Sequence, residues 1–243
     1  MLEVFNLSFC YADKRVLDNI NLTFQKGKFY CIIGRNSAGK STLVNCLACL
    51  AGYDGSITLD GREISQMSHI DRAKRISLLS QSVTAVPFTA EELISFGRNP
   101  YADIKTNGTA LAKKAMEKAG IEHLCGKKVS ALSGGERQLS YFAMCLCQDA
   151  DIMLLDEPTS NLDMEYAKRI LDISREMTLG GKTVICVLHN LSDAVKYADE
   201  IVILDKGECI FSGSKETCLE KEMIEKNFGV RRFCTDGETF FSV

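Results

Sequence analysis

A basic excess is missing from this chain. Its 243 residues carry 29 Lys and Arg against 32 Asp and Glu, a net charge of −3. That balance speaks against a nucleic-acid partner, because such proteins present a basic face. Long apolar runs are missing too. The longest charge-free stretches of apolar leaning, Leu43–Tyr53 and Gln138–Gln148, fall short of the roughly 20 residues that span a bilayer. Work at a membrane then needs a separate membrane-spanning chain. The start, Met1-Leu2-Glu3-Val4-Phe5, has no basic region followed by an apolar core, so no secretory leader is expected. Internal repeats and low-complexity linkers are also lacking, and the expectation is one compact domain with two lobes. Cysteine is plentiful at 11 residues, but zinc-ligand spacing is not. Cys46-x-x-Cys49 and Cys145-x-Cys147 have no matching second pair. Both fall in apolar helical stretches, where a reduced thiol packs as a small hydrophobe. A reducing compartment is therefore expected.

What is present is alternation. Strands are expected at Leu2–Phe9, Val16–Phe24, Phe29–Ile33, Ser56–Leu59, Ile76–Ser80, Ile152–Leu155, Thr183–Leu188, Ile201–Leu204 and Cys209–Phe211. Helices are expected from Lys40 to Ala51, from the capping box Thr89-x-x-Glu92 to Phe96, at Ala110–Ala119, from Gly135 to Gln148, at Met164–Thr178 and at Asn190–Tyr197. Asp236-Gly237 between Phe233 and Phe240 suggests a terminal hairpin. Apolar strands alternating with helices predict an α/β fold with a mainly parallel sheet. The early strands add an antiparallel part, and the strand-poor stretch from about Ser82 to Leu146 reads as a helical insertion.

Three segments carry chemistry. Gly34-Arg35-Asn36-Ser37-Ala38-Gly39-Lys40-Ser41-Thr42 fits G-x-x-x-x-G-K-[ST], directly after an expected strand and before a helix. Backbone amides and a helix N-terminus there converge on a phosphate, Lys40 reaches the terminal phosphates, and the Ser41 hydroxyl suits Mg²⁺. Asp156 and Glu157 follow the apolar strand Ile152–Leu155, where carboxylates point into a ligand crevice. Asp156 suits Mg²⁺ and Glu157 suits orienting or deprotonating a water. Ser133-Gly134-Gly135 opens a helix, with Ser133 a natural N-cap and the glycines permitting close backbone approach. Read alone, Gln81, His189 and Tyr11 say little.

Together, Gly34–Thr42, Leu132-Ser133-Gly134-Gly135-Glu136-Arg137-Gln138 and Leu154-Leu155-Asp156-Glu157-Pro158, in this order, resemble the ATP-binding cassette (ABC) ATPases from about Leu2 to Gly213. The resemblance implies a P-loop ABC cassette. Its nucleotide-binding core and β subdomain would be residues 1–81 and 147–243, and its helical signature subdomain residues 82–146. It implies ATP hydrolysis with Mg²⁺. Gln81 becomes the coupling glutamine near Mg²⁺ and water, and His189 the switch histidine at the terminal phosphate. Tyr11 stacks on adenine. Asp163, in Ser160-Asn161-Leu162-Asp163, belongs to the loop that crosses between subunits. It also implies a head-to-tail dimer, in which Ser133, Gly134 and Gly135 close on ATP held by a second copy. Arg35 stands where proline is frequent, Ser37 where glycine is frequent, and Glu136 where glutamine is common. A left-handed Ser37 would cost about 1 kcal/mol, and an acid at 136 in a helix's first turn is favourable.

Thr89-Ala-Glu-Glu-Leu-Ile-Ser-Phe-Gly-Arg-Asn-Pro-Tyr101 and Leu188-His-Asn-Leu-Ser-Asp-Ala-Val-Lys-Tyr-Ala-Asp199 are similar to segments of importers for ferric siderophores, haem and cobalamin. Asn227-Phe-Gly-Val and the terminal hairpin resemble that group's tail. The resemblance implies an ATPase peripheral to the cytoplasmic face of the cell membrane. A polytopic permease would dock near Val83–Tyr101, and a solute-binding protein would act indirectly. Alternatives are another metal or small-solute transporter, a soluble ABC ATPase such as one for Fe–S assembly, and a catalytically silent cassette. The intact Lys40, Asp156, Glu157 and His189 oppose the last.

Overall fold

The computed structural model describes residues 1–101, 108–160, 162–235 and 237–242, which fall into two compact units. The first comprises Met1–Gln66 with Thr183–Val243, and the second Met67–Lys182.

The first unit holds both kinds of strand. β1 (Leu2–Tyr11) and β2 (Lys14–Phe24) pair antiparallel, and β1 also pairs with β4 (Asp54–Leu59), which turns into the short β5 (Arg62–Glu63). Leu2, Val4, Leu7, Leu22, Phe24, Ile57 and Leu59 are buried from these strands while their neighbours face water. That is the alternation of a sheet packed on one face. β3 (Phe29–Gly34) runs parallel to β8 (Thr183–Val187) on one side and β9 (Glu200–Asp205) on the other. β10 (Glu208–Ser214) lies antiparallel on β9. β3 and β8 are buried throughout, as strands covered on both faces must be. α1 (Lys40–Leu47) follows β3, and α7 (Leu191–Tyr197) follows β8. α8 (Lys215–Glu220), α9 (Met223–Phe228) and the hairpin β11 (Arg231–Thr235) with β12 (Glu238–Ser242) end the chain.

In the second unit β6 (Ile76–Leu79) and β7 (Ile152–Asp156) are parallel neighbours, with Leu79 opposite Leu155. The remainder is helical: α2 (His69–Arg75), α3 (Ala90–Ser95), α4 (Thr109–Ala119), α5 (Gly134–Gln148) and α6 (Met164–Leu179). α3, α4 and α5 pack on one another, and Leu93, Ile94, Ala112, Met116, Leu139 and Phe142 on them are buried. No strand occurs among the described residues between β6 and β7.

The expected elements recur within a few residues, with instructive exceptions. α1 stops at Leu47 instead of Ala51, because Cys49 takes a left-handed φ of 55° and its N–H turns back to the Cys46 carbonyl. α2, α8 and α9 were not expected. Each is a helix of six or seven residues, too short to display a period. Asn161 and Asp236, named in the sequence reading, lie outside the described residues. Cys46, Cys145 and Cys147 are buried, and burial pushes the Cys46 and Cys145 thiols up to about 12.

Candidate functional site

The phosphate loop belongs to the first unit. It begins where β3 ends, and its shape depends on two glycines. A side chain at Gly34 would strike the Leu204 carbonyl of β9. Gly39 has φ +99°, and a Cβ there would come within 2.7 Å of the Leu17 side chain and 2.9 Å of the Val16 carbonyl. Ser37 also takes the left-handed region, at φ 63°, so its departure from glycine carries the expected strain of about 1 kcal/mol. Arg35, Asn36 and Ser37 are exposed, whereas Ala38, Gly39, Lys40 and Thr42 are buried and Ser41 is half-buried.

Lys40 is only 5% exposed. Its Nζ donates to the Gly34 carbonyl at 2.9 Å and the Arg35 carbonyl at 3.1 Å. The ammonium is thus held by the loop's own carbonyls.

The end of α1 fits an anion. Side chains of Ser68, Thr89, Ser133, Asp163, Asn190 and Ser214 cap α2, α3, α5, α6, α7 and α8, and each of those helices has an acid in its first turn. α1, like α4, has neither a capping side chain nor a first-turn acid. The N-terminal end of a helix carries partial positive charge, which favours a negative group there. A triphosphate suits that arrangement, and the half-buried Ser41 hydroxyl beside it suits a hard cation.

Two other expected residues lie in this unit. Tyr11 ends β1, is 58% exposed, and meets Phe9 edge-on with ring centroids 4.7 Å apart. Its open face leaves room for a planar ring. His189 is exposed just past the end of β8. The next residue, Asn190, caps α7 by accepting from the Ser192 and Asp193 amides at 2.9 and 3.2 Å, so His189 stands at a fixed corner.

The second unit brings two carboxylates and a glutamine together. β6 and β7 are in register at Leu79 and Leu155, so Gln81 and Glu157 each follow two residues on from that pair. Gln81 Nε2 donates to Glu157 Oε2 at 2.7 Å, and the Ser160 hydroxyl donates to the same oxygen at 3.2 Å. Glu157 is held at φ 50°, an uncommon conformation for a non-glycine residue and one concentrated at functional sites. Asp156, the last residue of β7, is 6% exposed. A buried acid at a strand's carboxyl end suits a bound cation. Ser160 was not singled out as a site residue. Its signal is a hydroxyl three positions after Glu157, in reach once the chain turns.

Ser133 caps α5 reciprocally. Its Oγ accepts from the Glu136 amide at 3.2 Å, and the Glu136 carboxylate accepts from the Ser133 amide at 2.9 Å. Those bonds, the Ser133 amide above all, hold the Glu136 carboxyl below its ordinary range. The expected favourable effect of an acid at 136 takes this form. Ser133 and Gly134 are exposed and Gly135 half-buried. Asp163 caps α6 by accepting from the Tyr166 amide at 3.0 Å.

The ABC transporter family model matches residues 17–160. The chain is 36% identical over 231 residues to the petrobactin import ATP-binding protein YclP of Bacillus subtilis strain 168, covering 93% of this chain and 92% of that one. It is 35% identical over 237 residues to the ferric enterobactin transport ATP-binding protein FepC of Escherichia coli strain K12, covering 95% of this chain and 88% of that one. Among solved structures, the dimeric bacterial ABC transporter cassette MJ0796 superposes with a TM-score of 0.81 at 25% identity, covering 88% of this chain and 99% of that one.

Proposed function

This chain belongs to the ABC transporter family, and from that premise we propose that it is the ATP-hydrolysing subunit of an importer for an iron chelate, haem or cobalamin. The observation that carries the solute class is its likeness to the petrobactin and enterobactin ATP-binding proteins over nearly its whole length. The phosphate loop and the paired Asp156 and Glu157 support the reaction.

The residues divide the work. Lys40 and the amides opening α1 neutralise phosphate charge. Ser41, Asp156 and Gln81 are the residues that would hold Mg²⁺, each with an oxygen suited to a hard cation. Glu157 accepts a proton from the attacking water or orients it, and His189 steadies that water at the terminal phosphate. Bound ATP supplies the phosphoanhydride, and Mg²⁺ neutralises charge developing on it. The Gln81 bond to Glu157 gives the base a fixed direction and ties it to the chain that continues toward α3. Tyr11 supports the adenine ring.

Two copies close head to tail, so that Ser133, Gly134, Gly135 and Asp163 of one serve the ATP of the other. A polytopic permease receives the motion through residues 82–146, the helical signature subdomain, while residues 1–81 and 147–243 form the nucleotide-binding core. Phe88, 41% exposed and edge-on to Phe96 at 5.0 Å, supports the Val83–Tyr101 stretch as the docking surface. None of the described helices is long and apolar enough to cross a membrane; the likeness to import ATP-binding proteins supports a peripheral place on the permease's cytoplasmic side. A solute-binding protein would act through the permease.

The test is a pull-down of tagged Glu157→Gln protein from detergent-solubilised membranes with ATP and Mg²⁺. Hydrolysis should fall at least about 100-fold while ATP stays bound and a polytopic permease is recovered. Recovery of soluble partners alone would overturn the importer reading.

A further inference from the structure

The last part of the chain touches the nucleotide machinery of the first unit at two places. The Arg35 side chain, in the phosphate loop, donates through its terminal nitrogen to the Asn227 carbonyl at 3.0 Å. That carbonyl lies in the last turn of α9, where helix acceptors are left without intrahelical partners. At the other place, Lys196 Nζ on α7 meets Glu238 Oε1 on β12 at 2.6 Å. α7 is the helix that begins just after His189, and β12 lies against it.

Between these anchors the segment is tied to itself. Arg232 on β11 pairs with Glu225 on α9 at 3.1 Å and donates to the Leu219 carbonyl of α8 at 3.0 Å. Cys218 and Ile224 are fully buried and fix α8 and α9 to the core. None of the described hairpin residues is fully buried. Phe233 and Phe240 are 50% and 43% exposed, and a cleft of about 430 Å³ lies among α7, α8 and β12. Polar pairs therefore set where the hairpin sits.

We propose that residues 215–242 form a brace joining the phosphate loop to the helix after His189, with Arg35 and Glu238 as positioning residues at its two ends. The chain of contacts runs from Arg35 to Asn227 on α9, through Glu225 and Arg232 to the hairpin, and through Glu238 to Lys196. It accounts for Arg35 in a loop position where proline is frequent, since proline offers no donor to α9. The inference rests on the reading of Gly34–Thr42 as a phosphate loop.

The test uses Arg35→Gln, Glu238→Gln and their combination in the full chain. It reads the Kd for a fluorescent ATP analogue and amide hydrogen exchange of peptides covering residues 29–43 and 188–198. Both altered side chains are exposed, so the fold should survive. Arg35→Gln should weaken ATP binding about fivefold, the worth of one hydrogen bond, and should speed exchange at 188–198, the far end. Glu238→Gln should speed exchange at 29–43. The two should combine less than multiplicatively on Kd, and Arg35→Lys should restore part of the affinity. Exchange changes confined to the altered end, with multiplicative effects on Kd, would overturn the brace. Failure of the unaltered chain to bind the analogue would instead refute the phosphate-loop reading, and the exchange data would still judge the brace.

Discussion

Two helix N-termini in this molecule are proposed to meet phosphate, and they are built in opposite ways. α1 begins at a left-handed Gly39 with no capping side chain, no acid in its first turn, and a buried lysine as its first residue. α5 begins at Ser133 with a complete capping box and Glu136 in its first turn. The first end carries no negative side chain of its own, so its positive pole favours an added anion. The second is satisfied by its own side chains, with Gly134 exposed and Gly135 half-buried beside the cap. On the proposed function, the α1 end would make the first contact with nucleotide, and the α5 end would be a stable surface that closes over nucleotide bound at another copy's α1.

The sharpest way to break the contrast is at α1. Lys40→Met removes the ammonium and its bonds to the Gly34 and Arg35 carbonyls. ATP affinity should fall about 100-fold, the scale of lost hydrogen bonds to a charged group, as read by equilibrium binding of labelled ATP. At α5 a smaller effect of another kind is expected. Ser133→Ala should lower unfolding free energy by about 1 kcal/mol, the usual worth of an N-cap, as read by urea denaturation. Binding of ATP by the isolated chain should change by less than about twofold if that helix end does not hold the chain's own nucleotide.

The smallest effect is a pH dependence. The Ser133 bonds hold the Glu136 carboxyl below its ordinary value. A carboxyl lowered in the folded state stabilises the protein above its unfolded pKa of about 4.3. That contribution is lost as pH falls through the folded value. The stability advantage of the wild type over Glu136→Gln should therefore hold at pH 6 and shrink toward pH 3, as measured by denaturation at each pH.

Much of this was legible in the residues because it is local. The Thr89 capping box and the Ser133 cap follow from side chains three positions apart, and both boxes form. The buried runs of β3, β7 and β8 announce themselves by composition. α1's early stop was not legible, since nothing in Ala48-Cys49-Leu50 marks Cys49 for a left-handed φ. α8 and α9 are six-residue helices whose only fully buried residues are Cys218 and Ile224. The bond from Arg35 to Asn227 spans 192 positions, and the Gln81 bond to Glu157 spans 76. Contacts of that separation follow from strand register and tail path, which no local pattern carries. The sequence named Glu157 from its place after an apolar strand and Gln81 through resemblance, and the fold supplied the bond between them.

The most direct test of the two-ended account mixes copies. Lys40→Met disables the α1 end and Ser133→Arg obstructs the α5 end, each made in the Glu157→Gln background so that ATP is retained. Either protein alone should retain almost no ATP after gel filtration. If each nucleotide is held by α1 of one copy and closed over by α5 of another, mixed pairs regain one whole site. An equal mixture should then retain about a quarter of the ATP held by the unmixed parent, as two-fold symmetry requires. A mixture that retains no more than its components would contradict the account and place both ends on one chain's own nucleotide.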